Sequence, residues 1–450
     1  MIERTQRLVS LDVFRGMTIA GMVLVNNPGG SPVYWPLEHA EWHGLTPTDW
    51  IFPFFIFIVG VSIAISLGKR VGEKPDVSAY WRIGKRAISI YLLGAAISIV
   101  PFFQFQATDA PDPLKMLIWL AFTASLFFLL LRNFKIAAVL CVAALLGIAG
   151  MNLAGYNVVP YNYGTLRIFG VLQRIAVVYL ITSIIFLHTT WKQQVGIGAV
   201  MLLGYWLIMT TIPVPGCEVT SIGDKACNLA AYLDRLILTE NHIWRGGKVF
   251  DPEGILSTIP AIVTCISGVL TGKWLIRNTE FRIQNDESQP PNSSFIMQHS
   301  ALNKASGMFF FGLALLALGL IWNSYFPMNK ALWTSSYVLA TSGLALLVLG
   351  FCYWLIDIQG YKKWAQPFVI FGVNALPLFV FTGFFARMIA AYRVTGPEGT
   401  PISLGRWTMN NIYLPIFNPI DASLAYAISF ILLWLFLMWL LYRKQIYIRV

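Results

Sequence analysis

The stretch "LEHAEWHGLTPTDWIFPFFIFIVG", residues 37–60, sets two histidines, two glutamates and an aspartate directly ahead of an apolar run. From Trp50 to Gly68 no residue is charged. That length nearly matches the ~20 apolar residues that a helix needs to cross a ~30 Å hydrocarbon core. Similar runs recur along all 450 residues. Hydrophobic residues make up 57% of the chain, charged residues only 12%, and the mean hydropathy is +0.65. Soluble domains carry about 25% charged residues. So much apolar surface needs lipid as its solvent, with helices satisfying their own backbone groups. The chain therefore reads as an all-α polytopic membrane protein. The formal net charge of +11 fits basic residues gathered on cytoplasmic loops, and nucleic acid is not an expected partner.

Twelve spans are expected, with 10–12 as the range, near residues 11–28, 49–68, 86–103, 114–131, 134–153, 168–188, 195–213, 255–275, 303–323, 333–355, 365–388 and 421–442. "RNFK" (132–135) joins the fourth and fifth as a helical hairpin. With both termini cytoplasmic, twenty Lys and Arg fall on inside segments and ten on outside segments, as the positive-inside rule requires. The first ten residues are polar and the first apolar run holds Asp12 and Arg15, so no cleavable signal peptide is expected. Residues 1–450 read as a single transmembrane domain. It has long outside loops at 214–254 and 389–420 and a polar cytoplasmic connector at 276–302, where the Asn292 sequon carries no meaning. Cys217 and Cys227 share the first of those outside loops, where an oxidising compartment would allow them to pair.

Ionisable groups inside spans are costly and point to function. Asp12 and Arg15, three residues apart, share a helix face. They form either an anchoring ion pair or a receptor for an anionic ligand arriving from the cytoplasm. Asn26 and Asn27 precede Pro28-Gly29-Gly30. That pattern ends a helix, but asparagine there can also donate to a developing oxyanion. His39 and His43 lie in the first outside loop, with Asp49 at the entrance of the second span. A neutral imidazole suits general-base work or transient acylation; a loop histidine is also an ordinary polar rim residue. Gln173 and Arg174 open the sixth span. Arg174 must meet an anion: Asp12, Asp49, or a phosphate or thioester of a ligand. Asp251 and Glu253 precede the eighth span and either favour its helix dipole or recognise a cationic or polyhydroxyl substrate. No HExxH or other metal-ligand spacing occurs, so no metal is expected.

The blocks "RLVSLDVFRG", "VNNPGG", "EHAEWHGLTPTDWIFPFFIFIVG", "GVLQRIAVVY", "FDPEGILSTI" and "NKALWTSSYVL", in this order, resemble the heparan-α-glucosaminide N-acetyltransferase family and its bacterial relatives. The resemblance runs from residue 7 to about residue 358, with a weaker match in "FGVNALPLFVF". It implies transfer of an acetyl group from cytoplasmic acetyl-CoA, as co-substrate, to an amino sugar or glycan acceptor across the bilayer. It maps the family's active-site histidine to His39 rather than His43, and its functional asparagine to Asn26. Either the amine attacks acetyl-CoA directly with His39 as base, or an acetyl-histidine forms first. The animal enzyme has an additional lumenal domain and a preceding span, and the 114–153 hairpin looks like an addition to it; both differences put the acceptor in question. A bacterial inner membrane and a homodimer are further implications of the resemblance. Two other readings stay open at this point. A transporter of a sugar or amphiphile would also bury Asp12, Arg15 and Arg174, and an O-acyltransferase would form esters instead of amides.

Overall fold

A computed structural model describes residues 8–68, 76–283, 293–396 and 399–448, with backbone alone for 277–283 and 293–299. Arg4, Arg7, Lys69, Arg70, Lys74 and Arg449, which belong to the twenty inside basic residues, and the Asn292 sequon lie outside the described residues. In chain order the helices are α1 (Val9–Asn26), α2 (Ile51–Leu67), α3 (Val77–Ile99), α4 (Asp112–Leu130), α5 (Phe134–Leu153), α6 (Val171–His188), α7 (Trp191–Thr211) and α8 (Leu229–Leu238). There follow α9 (Thr258–Ile283), α10 (Ser293–Trp322), α11 (Ser335–Cys352), α12 (Gln366–Val373) and α13 (Ala375–Ala391). The chain closes with strands β1 (Arg393–Thr395) and β2 (Pro401–Ser403), paired antiparallel with Val394 opposite Ile402, and then α14 (Leu404–Thr408) and α15 (Pro419–Arg443).

Among the described residues ten helices are long and apolar enough to cross a membrane, and eleven if one bent pair counts as a span. The protein is therefore an all-α polytopic membrane protein. α3 covers the expected 86–103 span but is not one of the ten; it carries Arg82, Lys85 and Arg86. The expected 365–388 span is the bent pair, two helices at 72° that meet at Asn374. Pro377, the third residue of α13, lacks an N–H and crowds the carbonyl four residues back, which is where the helix breaks. At the 276–302 connector, α9 and α10 extend helix through 283 and from 293, while 284–292 lie outside the described residues.

The described residues pack as two compact units. The first comprises Met1–Ile19, His39–Tyr91 and Phe169–Val373. Helices α2 and α9 cross closely in it: a Cβ on Gly60 would lie 1.9 Å from the Cys265 carbonyl and one on Gly268 2.0 Å from the Phe57 carbonyl. Small residues let backbones approach this closely where lipid supplies no hydrophobic drive. Phe14, Phe57, Met308 and Leu349 centre its apolar core.

The second unit comprises Ala20–Glu38, Leu92–Ile168 and Asn374–Val450. In it α4 and α5 form the expected hairpin. Arg132 takes a left-handed conformation (φ 59°) and the Asn133 side chain accepts from Ile136 N at 3.3 Å, which ends one helix and caps the next. Asn374 is held by the chain's last described residues: its Nδ2 donates to Ile446 O at 3.0 Å and its Oδ1 accepts from Ile448 N at 2.9 Å.

Candidate active site

The first unit gathers its polar side chains at one end of α2. Thr46 and Asp49 close a capping box around the turn Pro47–Trp50 that leads into α2. Asp49 Oδ2 accepts from Ala40 N (3.1 Å), Thr46 N (3.1 Å) and Thr46 Oγ1 (2.9 Å). Its other oxygen, Oδ1, lies 2.7 Å from His39 Nδ1. The Asp49 side chain is 1% exposed and that of His39 51%. A buried, fully bonded carboxylate thus holds an open imidazole. A ring proton on Nδ1 would face Asp49 and leave the lone pair on Nε2.

Lys330 completes the group. Its Nζ stands 3.0 Å from His39 Nδ1, 3.2 Å from Nε2 and 3.6 Å from Asp49 Oδ1. Hydrogen bonds close the turn that presents it. Asn329 Oδ1 accepts from Leu332 N at 2.9 Å, and Asn329 N donates to Thr334 Oγ1 at 3.0 Å. Burial pushes the Lys330 pKa below the usual lysine value, while the Asp49 and Glu253 carboxylates pull it back up. Tyr337 OH donates to the Asp49 carbonyl at 2.7 Å and anchors the Pro47–Trp50 turn to α11.

Arg174 lies beside this group and is 0% exposed. Its Nη2 donates to Gly254 O at 3.2 Å and to Ser257 Oγ. Its guanidinium stacks 5.1 Å from the centroid of Trp333. Trp333 itself adopts φ 51°, a strained backbone for so large a residue. The charges of Glu253, Asp251 and Asp234 act on Arg174, while its Nε and Nη1 have no hydrogen-bond partner among the described residues. Asp251 Oδ1 accepts from Glu253 N at 2.9 Å, and Asp234 Oδ1 accepts from Ile255 N at 2.9 Å. Burial raises the Asp234 pKa to about 6. Gln173 is buried one residue before Arg174.

The Asp49 and Glu253 charges thus both reach Lys330, and those of Asp251 and Glu253 reach Arg174, while His39 sits at the exposed edge of the group. Asp12 and Arg15 lie elsewhere. Arg15 Nη1 donates to Asp12 Oδ1 at 3.2 Å and Nη2 to Ser62 Oγ at 3.1 Å. Ser62 is thirteen residues along the span from Asp49, roughly 20 Å at 1.5 Å per residue. Asp12 therefore pairs with Arg15, and Arg174 bonds neither Asp12 nor Asp49. Asn26 is the exposed last residue of α1 and belongs to the second unit. His43 is also exposed; its Nδ1 meets Asn329 Nδ2 at 3.4 Å, and what burial it has lowers its pKa. Lys330 is one of the ten outside basic residues, and neither it nor Tyr337 stands out in the sequence as a site residue. Both stand in the block "NKALWTSSYVL", which was the available signal. Among the described residues no three His, Cys, Asp or Glu side chains could together hold a metal ion.

The loop bearing Cys217 and Cys227 packs on the same end. Those cysteines form a disulfide. Trp42 Nε1 donates to Ile222 O at 2.9 Å between them, and a Cβ on Gly223 would lie 3.9 Å from His43 Nε2.

The fold and site define a polytopic membrane protein with a carboxylate–imidazole–lysine group at one end of its helices. Residues 7–159 match the family described as "Heparan-alpha-glucosaminide N-acetyltransferase, catalytic". Two curated relatives of that name, from Homo sapiens and Mus musculus, are each 27% identical over 417 and 418 aligned residues. The alignments cover 83% of this chain and 52% and 53% of the relatives. The chain therefore spans about half the length of the curated relatives it matches. His39, Asp49, Asn26, Asp12 and Arg15 fall within the family match; Arg174, Asp251, Glu253 and Lys330 fall beyond it.

Proposed function

We propose that the chain is a membrane-embedded acetyltransferase that moves an acetyl group from acetyl-CoA to the amine of an amino sugar. The observation that carries this reading is the 2.7 Å contact between buried Asp49 and exposed His39. In the direct route the amine nitrogen attacks the thioester carbonyl carbon while its proton passes to His39 Nε2. The C–S bond then breaks, and the departing thiolate takes that proton to give CoA-SH and the amide. Asp49 steadies the imidazolium that forms. The Lys330 ammonium offers positive charge to the carbonyl oxygen as it becomes an oxyanion. The family resemblance alone marks Asn26 as functional.

The acceptor's hydroxyls would face Asp251, Glu253 and the unsatisfied Arg174 nitrogens. Arg15 suits the anionic nucleotide of the donor, with Lys273, whose Nζ donates to Gln194 Oε1 at 3.4 Å. Interior hydroxyls such as Ser267 and Ser342, 3.1 Å apart, would serve the amides of a pantetheine arm lying between the two ends. The disulfide that shares an end with His43 supports a topology with that end in an oxidising compartment; the bias of basic residues supports cytoplasmic termini, and the family resemblance alone a membrane of bacterial inner-membrane type.

The test is acetyl transfer by purified protein from labelled acetyl-CoA to glucosamine and related amines. Transfer lost in His39→Ala and kept in His43→Ala is expected, with an amide as product. An ester product would move the assignment to an O-acyltransferase. No transfer to any amine, together with no binding of acetyl-CoA, would sink the enzyme reading.

A further inference from the structure

The second unit holds an arginine and a tryptophan that each have one buried N–H group without a hydrogen-bond partner among the described residues. Arg387 on α13 lies with its guanidinium carbon 5.6 Å from the ring centroid of Trp119 on α4. Trp119 is 2% exposed. Arg387 Nη1 and Trp119 Nε1 are both buried, and neither has a hydrogen-bond partner among the described residues. No carboxylate among those residues acts on Arg387; Tyr161, a phenol, is the one titratable side chain that does. Lys115, one helical turn before Trp119, makes the contrast. Its Nζ donates to Phe105 O (2.8 Å) and Thr108 O (2.9 Å) and pairs with Asp112 at 2.9 Å. One buried cation of this unit is fully matched while its neighbour is not.

A buried donor left unbonded costs about 1–3 kcal/mol, and an arginine at membrane depth needs an anion. Two neighbouring N–H donors carrying a positive charge fit a phosphate, which a guanidinium matches in geometry. The surroundings favour a lipid as its source. α4 buries Lys115, Ile118, Trp119 and Phe122 along one face and leaves Leu117 and Leu120 exposed. α4, α5 and α15 bury little of themselves against protein, so their outer faces meet hydrocarbon. Arg387 lies four residues before the end of α13, roughly 6 Å at 1.5 Å per residue. Arg393 N donates to Asp112 Oδ2 at 3.0 Å, so the ends of α13 and α4 meet at this level. That is a depth a headgroup phosphate can reach. We propose that Arg387 and Trp119 bind the phosphate of an anionic phospholipid whose acyl chains lie along Leu117 and Leu120.

The experiment titrates delipidated full-length protein with phosphatidylglycerol, phosphatidylcholine and inorganic phosphate, and reads adducts by native mass spectrometry. One phosphatidylglycerol per chain should be retained in preference to phosphatidylcholine. Arg387→Gln should weaken that retention by about tenfold or more, and Trp119→Phe by several-fold. The second variant removes a single N–H and guards against misfolding of the first. Displacement of the lipid by inorganic phosphate would overturn the lipid as source. Equal retention of phosphatidylcholine, or undiminished phosphatidylglycerol in both variants, would overturn the site.

Discussion

His39 Nδ1 and Asp49 Oδ1 stand 2.7 Å apart, with the imidazole half open and the carboxylate sealed from solvent. Three further donors hold Asp49 in place. Such a carboxylate sets the tautomer and orientation of its histidine and need not accept the proton itself. Asp49→Asn keeps the shape and removes the charge. It should lower kcat for acetyl transfer by roughly 10²–10⁴ with little change in KM. A kcat within twofold of wild type would remove Asp49 from the mechanism.

Lys330 should set the alkaline limb of activity. Burial lowers its pKa from the usual lysine value, so its positive charge is lost at a lower pH than that of an ordinary lysine. If that charge steadies the oxyanion, kcat falls as the ammonium deprotonates. Lys330→Arg, which stays protonated, should shift the limb upward even where its overall rate is reduced. Lys330→Met should lack the limb and run slowly at every pH. An unchanged alkaline limb in both variants would leave Lys330 a merely structural role.

Much of the fold was legible because lipid imposes one rule on every span: an uncharged run of about 20 residues. α3 and the α12–α13 pair departed from it for local reasons, the basic residues of the one and Pro377 in the other. The site was legible only where its parts are close in sequence. His39 and Asp49 are ten residues apart, and Asp49 could be seen at the span's mouth. Lys330 lies 291 residues from His39 and became a neighbour only through packing of the 329–334 turn. Arg174 was recognisable as a buried charge in need of partners. That its partners would be Gly254, Ser257 and three acids depended on how α6 meets the start of α9.

Arg174 should matter to folding as well as chemistry. Removing it leaves Glu253, Asp251 and Asp234 clustered without their buried cation and strips Gly254 O and Ser257 of a donor. Breaking a buried ionic group of this kind costs about 3–5 kcal/mol. Arg174→Met should therefore lower the thermal midpoint in detergent markedly, and Arg174→Lys should recover only part of the loss. A midpoint unchanged in the Met variant would contradict the arrangement.

The Cys217–Cys227 bridge, with a sequence separation of 10, tests both stability and sidedness. Closing so short a loop contributes roughly 2–4 kcal/mol through the unfolded chain. The double serine variant should unfold at lower temperature. In Cys217→Ser the freed Cys227 should react with an impermeant maleimide added outside intact cells. Labelling that requires permeabilised cells would place this loop, and the packed His43 with it, on the cytoplasmic side.

Asp234 gives the protein a stability that depends on pH. Burial raises its pKa from 3.8 to about 6 in the folded chain. The folded state then holds a proton that the unfolded state releases, so this contribution is fully present below about pH 4 and is lost as pH rises through 6. A shift of that size corresponds to about 3 kcal/mol. Asp234→Asn stays neutral throughout and keeps an oxygen to accept from Ile255 N. Between pH 4 and 7 its thermal midpoint should vary less than that of wild type, with the gap in the variant's favour widening toward pH 7. Parallel curves for the two proteins across that window would show that Asp234 titrates as an ordinary aspartate.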